Sequence, residues 1–226
     1  MKAVSPTPDE NSFARHSPFN IHNSLFTQEN AMSENVIFEE KFEGSFADDW
    51  TWLREVPEAT KVGDGVLCLR SMPGTLWGDN NSACNFLLRP PQPQRDGLAS
   101  EVTVTNHPKL QGEQGGMNWY FDDDNYVKFI KENLAGSVFI VMAREEDGQA
   151  VLVNKLPCET ESARLRLGLV DGQMVGQFRT TDDAEWQVVG TCAPIDKGDV
   201  QLGLYTHGGP EDEEHWAELR DYRILG

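Results

Sequence analysis

The stretch GGMNWYFDDDNYVKFIKE, residues 115–132, alternates aromatic, amide and charged side chains in a pattern suited to holding a ligand. If Asp122-Asp123-Asp124 closes a hairpin as a three-residue loop, Phe121 pairs with Asn125 and Tyr120 with Tyr126. Successive strand residues point to opposite faces. Asn118, Tyr120, Tyr126 and Lys128 then share one face, and Met117, Trp119, Phe121, Val127 and Phe129 the other. A loop one residue longer would set Trp119 beside Lys128 and bury Asn118 with Phe129. A one-residue slip flips every side chain, so only the shorter loop keeps each face coherent. The polar face offers rings that stack on the C–H face of a pyranose, and amide and ammonium groups that bond its hydroxyls. Trp77, Tyr205 and Trp216 are candidates to extend this sugar platform. The competing reading of these rings is ordinary cross-strand aromatic pairing. His207 and His215 flank the loop Gly208-Gly209-Pro210, where they could bond a ligand or hold a metal with nearby carboxylates; otherwise they are surface histidines at strand ends.

Other chemistries lack their patterns. There is no G-x-S-x-G elbow and no cysteine in a basic setting, so nucleophilic catalysis is not signalled. No Gly-rich phosphate loop joins a strand to a helix. Cys68, Cys84, Cys158 and Cys192 are far apart without a C-x-x-C pair; Cys68 and Cys84 lie in apolar contexts and are expected to be buried thiols. The acidic runs Asp122-Asp123-Asp124, Glu145-Glu146-Asp147, Asp182-Asp183 and Glu211-Asp212-Glu213-Glu214 flank apolar segments and read as solvated turns.

These groups need elements to position them. Residues 1–33 are polar, rich in Ser, Pro and Asn, and aperiodic, which predicts a flexible tail containing His16 and His22. The N-terminus has no apolar segment of the secretory kind, so a cytoplasmic protein with reduced cysteines is expected. Residues 34–226 form one domain of short alternating runs, among them VIFEEKF, GVLCLR, CNFLLR, LASEVTVT, NYVKFIKE, SVFIVMAR, ARLRLGLV, VQLGLYTH and WAELRDYRI. Asp147-Gly148 and Asp171-Gly172 separate such runs, and an Asp-Gly pair supplies the positive φ angles of a tight hairpin. About a dozen one-sided strands predict an all-β fold of two packed sheets. The 226 residues carry 37 Asp and Glu against 19 Lys and Arg, a formal charge of −18. That excess repels phosphate backbones and anionic lipid, so neither nucleic acid nor membrane is an expected partner; neutral ligands, carbohydrate included, are compatible.

The motifs together resemble a known family. FEEKFEGSFADDWTWLRE resembles the opening of concanavalin A-like jelly-roll modules, and GGMNWYFDDDNYVKFIKE the central hairpin of the domain that follows the propeller in family 43 β-xylosidases. ARLRLGLVDGQMVGQFRTTDDAEWQVVG is similar to that domain's strand, Asp-Gly turn, strand and Trp, and VQLGLYTHGG and WAELRDYRI to its closing strands. The resemblance spans residues 36–225 and extends to the stand-alone family that includes the fungal enolase-regulation protein. It implies a concanavalin A-like two-sheet antiparallel β-sandwich (jelly roll) with Trp50, Trp52, Trp119 and Trp186 in the core. It also implies a structural Ca²⁺ where the first and last strands meet, with Glu40 and Asp221 at the acidic positions. Glu40 alternates with Phe38 and Phe42 and so points to the apolar side, where a charge needs a partner. The alternative partner is a salt bridge to Arg220, Arg223 or Lys41.

There are departures. Asp182-Asp183-Ala184-Glu185 stands where the family carries Asp-Gly before its late Trp, and no propeller is attached. Retaining hydrolases on this fold set Glu-x-Asp-x-x-Glu or Glu-x-Asp-x-Glu on one strand, and no strand here does. The leading expectation is a non-catalytic carbohydrate-binding or interaction module using the outer concave face of the sandwich. The alternatives are a glycoside hydrolase-like enzyme acting on a sugar derivative, or a regulatory protein partner of a metabolic enzyme.

Overall fold

A computed structural model describes Met32, residues 34–47 and residues 49–226. The expectation of a flexible tail, with His16 and His22, falls otherwise outside the described residues. The described chain forms strands β1 (Val36–Glu40), β2 (Thr51–Leu53), β3 (Thr60–Gly63), β4 (Val66–Arg70), β5 (Leu76–Trp77), β6 (Asn80–Asn81), β7 (Phe86–Leu88), β8 (Ala99–Thr105) and β9 (Gln114–Asp122). There follow β10 (Asn125–Leu134), β11 (Ser137–Glu146), β12 (Gln149–Pro157), β13 (Ser162–Val170), β14 (Gln173–Arg179), β15 (Gln187–Cys192), β16 (Gln201–His207) and β17 (Trp216–Leu225). One sheet has the order β15-β14-β13-β8-β17-β4-β3, with β1 also on β17. The other has the order β12-β11-β10-β9-β16-β7-β2. All pairings are antiparallel, and the fold is the expected β-sandwich.

The sheets close over one core because their inward residues are large and apolar. Trp119, Val127 and Phe129 of the seven-stranded sheet meet Val102, Leu165, Leu167 and Leu219 of the eight-stranded one. Asp147 and Asp171 have φ of 50°, and their glycines 72° and 71°, so both Asp-Gly pairs form the expected hairpin turns. A third hairpin, β10–β11, turns through Ala135 at φ 54° and Gly136 at 81°, where the sequence carries no Asp or Asn.

The β9–β10 register holds in its body: Tyr126 pairs with Tyr120, Lys128 with Asn118, and Val127 with Trp119. The loop differs from expectation. Asn125 pairs with Asp122, and a bulge between Asn125 and Tyr126 absorbs the extra residue. Asp122 Oδ1 holds this tight turn by accepting from the Asp124 amide at 2.9 Å and Asn125 Nδ2 at 2.7 Å.

Met32, placed in the tail by its sequence context, is buried against Ala99, Val170, Val175 and Leu225. The backbone N–H of Gly226 donates to Asn35 O at 3.0 Å, and Asn35 Nδ2 donates to Gly226 O at 2.8 Å.

Candidate functional site: a covered outer sheet face

The face of the seven-stranded sheet that points away from the core carries Asn118 and Tyr120 from β9, Tyr126 and Lys128 from β10, and Tyr205 and His207 from β16. The strands bring these six predicted residues together. They are not open to solvent as expected: each is buried, Asn118, Tyr126 and Tyr205 at 0% exposure. The cover includes the β5–β6 hairpin, whose Leu76 packs with Ala83, Phe86, Tyr120, Tyr126 and Tyr205 in a second apolar cluster. Trp77, on that hairpin, is 41% exposed and lies with its ring 4.9 Å from Lys128 Nζ.

The rings form a ladder across three strands. Phe86 stacks on Tyr205 at 4.9 Å and 6°, Tyr120 tilts against Phe86 at 5.9 Å, and His207 tilts against Tyr205 at 5.6 Å. The Tyr120 hydroxyl donates to Asp123 Oδ1 at 2.8 Å, and Asp123 is held by both terminal nitrogens of Arg54. The Tyr205 hydroxyl donates to Gln114 Oε1, whose Nε2 donates to Glu132 Oε1, both at 3.1 Å.

Glu145 belongs to this face although its sequence context suggested a solvated turn. It is fully buried because it pairs with Tyr126 across β10–β11. The Ala135-Gly136 turn sets that register, so the missed signal was a hairpin without the usual turn residues. The Tyr126 hydroxyl lies 2.5 Å from Glu145 Oε2 and 2.8 Å from Leu76 O. One proton cannot fully serve two acceptors. Lys128 Nζ also donates to Leu76 O at 3.3 Å, and the Gly78 amide donates to Glu145 Oε2 at 3.0 Å.

Several buried polar atoms on this face have no hydrogen-bond partner: Oδ1 and Nδ2 of Asn118 and Oε1 of Glu145. Such atoms are costly. Asn118 is accommodated because residue 203 opposite is glycine; a Cβ there would collide with Asn118 Oδ1 and with Leu88. Burial draws the Lys128 ammonium down to about 8, against the pull of Glu132 and Glu145. Burial, with the neighbouring Lys128 charge, holds His207 well below its ordinary value of 6.5, against a smaller opposing effect of the Gly74 backbone. Burial raises the Glu132 carboxyl, opposed by Lys128 and Lys155.

Three other expectations are corrected. Trp216 is not part of this face: it lies on β17 of the other sheet, with Lys61 Nζ 3.9 Å from its ring centre. Trp186 is not core; its half-buried ring lies against the guanidinium groups of Arg166 and Arg179, at 4.3 and 4.7 Å. His215 is not a surface residue: its Nδ1 is 2.8 Å from Oε1 of buried Glu113. Among the thiols, Cys158 is buried, while Cys68 and Cys84 are only partly covered.

The strand junction does not fit calcium. Glu40 is buried as expected, but its oxygens accept three N–H donors: Phe42 N at 3.2 Å, Ala47 N at 3.0 Å and Trp50 Nε1 at 2.9 Å. The salt-bridge alternative also fails, because Lys41 and Arg223 pair with Glu39 and Arg220 with Glu218. Asp221 sits exposed at a bulge, accepting from Thr103 Oγ1 at 3.5 Å. Among the described residues no three His, Cys, Asp or Glu side chains gather as a metal site. The corner instead holds the Arg89 guanidinium, paired with Asp49 and 3.6 Å from the Phe38 ring centre.

A cavity of about 510 Å³ lies elsewhere, and includes Lys131, Phe139, Cys158 and Glu161 in its walls. Lys131 Nζ there donates to Asn106 O and Glu161 O at 2.8 and 2.5 Å. We regard the covered face as the better candidate, because it gathers several unpartnered polar atoms beside a ladder of rings, whereas Lys131 has two partners and Asn106 Oδ1 is the unpartnered atom at the cavity.

This architecture is that of the GH43 C-terminal-like jelly-roll β-sandwich domains. The chain is similar to the GH43 BlXynB protein from Bacillus licheniformis at 17% identity and a TM-score of 0.70, over 83% of this chain and 39% of that one. It is similar to a functionally unknown protein from Saccharomyces cerevisiae at 15% identity and a TM-score of 0.65, over 78% of this chain and 95% of that one. It is also similar to the CBM2 module of the Lactobacillus casei BL23 phage J-1 evolved Dit, at 8% identity and a TM-score of 0.59, over 85% and 96% of the two chains. These identities establish a shared fold. The chain spans about two fifths of the length of the GH43 BlXynB chain. No family model matches the sequence, and no curated protein matches it. No helix among the described residues is long and apolar enough to cross a membrane.

Proposed function

We propose that the chain is a non-catalytic carbohydrate-binding module whose ligand face is the outer face of the seven-stranded sheet. The observation that carries this reading is the set of unpartnered atoms on Asn118 and Glu145 beside a ladder of rings that ends in His207. The amide and imidazole can both donate and accept, and the carboxylate accepts. A sugar hydroxyl does both, so a neutral saccharide can satisfy each without bringing a buried charge. Trp77 is the ring already at the surface. Binding is favoured over hydrolysis because Glu145 and Glu132 stand far apart, and the third carboxylate at the face, Asp123, is taken up by Tyr120 and both terminal nitrogens of Arg54. Glu145 pairs with Tyr126, and Glu132 lies six residues further along β10, about 20 Å at strand spacing. Paired glycosidase carboxylates stand roughly 5–9.5 Å apart.

A second reading has its own observation. Val151 and Leu152 on edge strand β12 and Val188 on edge strand β15 are exposed at 51%, 48% and 37%. Adjacent exposed apolar side chains on sheet edges suit a protein contact. A glycan array probed with the full chain tests the first reading, with xylo-oligosaccharides included because of the GH43 neighbours. Binding that Asn118→Ala and His207→Ala each weaken at least tenfold, while both variants retain cooperative melts, supports it. Binding that neither variant alters places the ligand elsewhere.

A further inference from the structure

Resting on that reading, we propose that the β5–β6 hairpin is a built-in competitor for the ligand. Its backbone occupies the hydrogen-bonding groups of Tyr126, Lys128 and Glu145, and a saccharide gains the face by displacing it. The hairpin is a two-stranded sheet of its own, outside the ladders of both large sheets. Its tip meets the face through one carbonyl and one amide of its backbone, and Asn81 Nδ2 adds a side-chain bond to Asp124 Oδ1 at 3.3 Å in the β9–β10 turn. Leu76 O accepts from Tyr126 and Lys128, and Gly78 N–H donates to Glu145. Its base is fastened separately: Gly208 N donates to Met72 O at 2.9 Å and Arg54 Nε to Ala83 O at 2.5 Å. The tip can therefore swing while the base stays tied.

The hairpin covers the face without fully satisfying it, since Asn118 and one oxygen of Glu145 remain unpartnered beneath it. A cover selected only for stability would leave apolar groups there. The tip also defines what must replace it: an acceptor oxygen for Tyr126 and Lys128 and, close by, a donor for Glu145. A vicinal diol of a pyranose carries both.

The test works before the sugar is identified. The full chain is treated with acetic anhydride at trace level, and acetylation of each lysine is timed by mass spectrometry. Lys131 is the internal control, bonded to two carbonyls in the wall of the cavity at the end of the sandwich rather than under the hairpin. Lys128 should label at least tenfold faster than Lys131 in the folded protein. Gly78→Ala should raise the Lys128 rate about fivefold, because φ of +56° disfavours a Cβ by roughly 1 kcal/mol even where space is open. Lys131 should not respond. Equal rates at the two lysines in both proteins would mean that only global unfolding exposes the face, and would overturn the proposal. Neutral oligosaccharides that bind should protect Lys128. A binder that leaves its labelling unchanged also overturns the proposal. Selective Lys128 labelling with no binder on the array supports the mobile hairpin and removes the carbohydrate reading.

Discussion

Tyr120 and Trp119 are neighbours on opposite faces of one strand, and alternation alone told them apart. What alternation could not tell is that both are buried, because the cover over Tyr120 comes from the distant segment around Leu76. Trp119→Ala should cost about 3–5 kcal/mol by emptying the core. Tyr120→Phe, which removes only the bond to Asp123, should cost about 1 kcal/mol. Denaturant melts of the two variants check that ordering. His207 makes a pH prediction. Its pKa is depressed by burial, so below 6.5 the unfolded chain takes up a proton that the folded chain refuses. Stability should then fall as the pH drops, by about 1.4 kcal/mol per pH unit from this residue. Replacing it by His207→Gln should flatten the stability curve between pH 6.5 and 5 by that amount. A curve of unchanged slope would mean that the ring titrates normally.

At the scale of elements, long strands were legible and short ones were not. The strands from β8 to β17 each follow an apolar alternation or an apolar run that survives in the fold. Strands β5 and β6 have two residues each and no period to detect, yet they decide whether the candidate site is open. The burial of Glu145 was hidden for a related reason. Its register depends on the Ala135-Gly136 turn, and alanine is a poor marker of positive φ. That turn is also a stability prediction. Ala135 is exposed at φ 54°, so Ala135→Gly should relieve strain and raise stability by up to about 1 kcal/mol, seen as a Tm shift of a few degrees. The calcium site that the resemblance implied at Glu40 and Asp221 was not legible in the residues themselves: strand pairing turns one carboxylate toward N–H donors and leaves the other in solvent.

The whole molecule is strongly acidic, and its cations are few enough to be placed deliberately. Arg164 and Arg166 both grip buried Glu101 on the eight-stranded sheet, and Arg166 reaches Glu34 as well. Together with the burial of Met32, this pair ties residues just before β1 to the sandwich. A chain begun at Asn35 should therefore melt below one begun at Met32, in side-by-side thermal scans. The mutual bonds between Asn35 and Gly226 have a different consequence. The strand that opens the sandwich and the residue that closes it meet at one point, so the covalent order of the strands is not fixed by geometry. Joining residue 226 to residue 35 through a few glycines, and opening the chain at the exposed Asp171-Gly172 turn, should give a circular permutant that melts cooperatively, near the temperature of the linear chain begun at Asn35. By the same token the sandwich can be carried in a surface loop of a host protein, since it asks its host for two attachment points only a hydrogen bond apart.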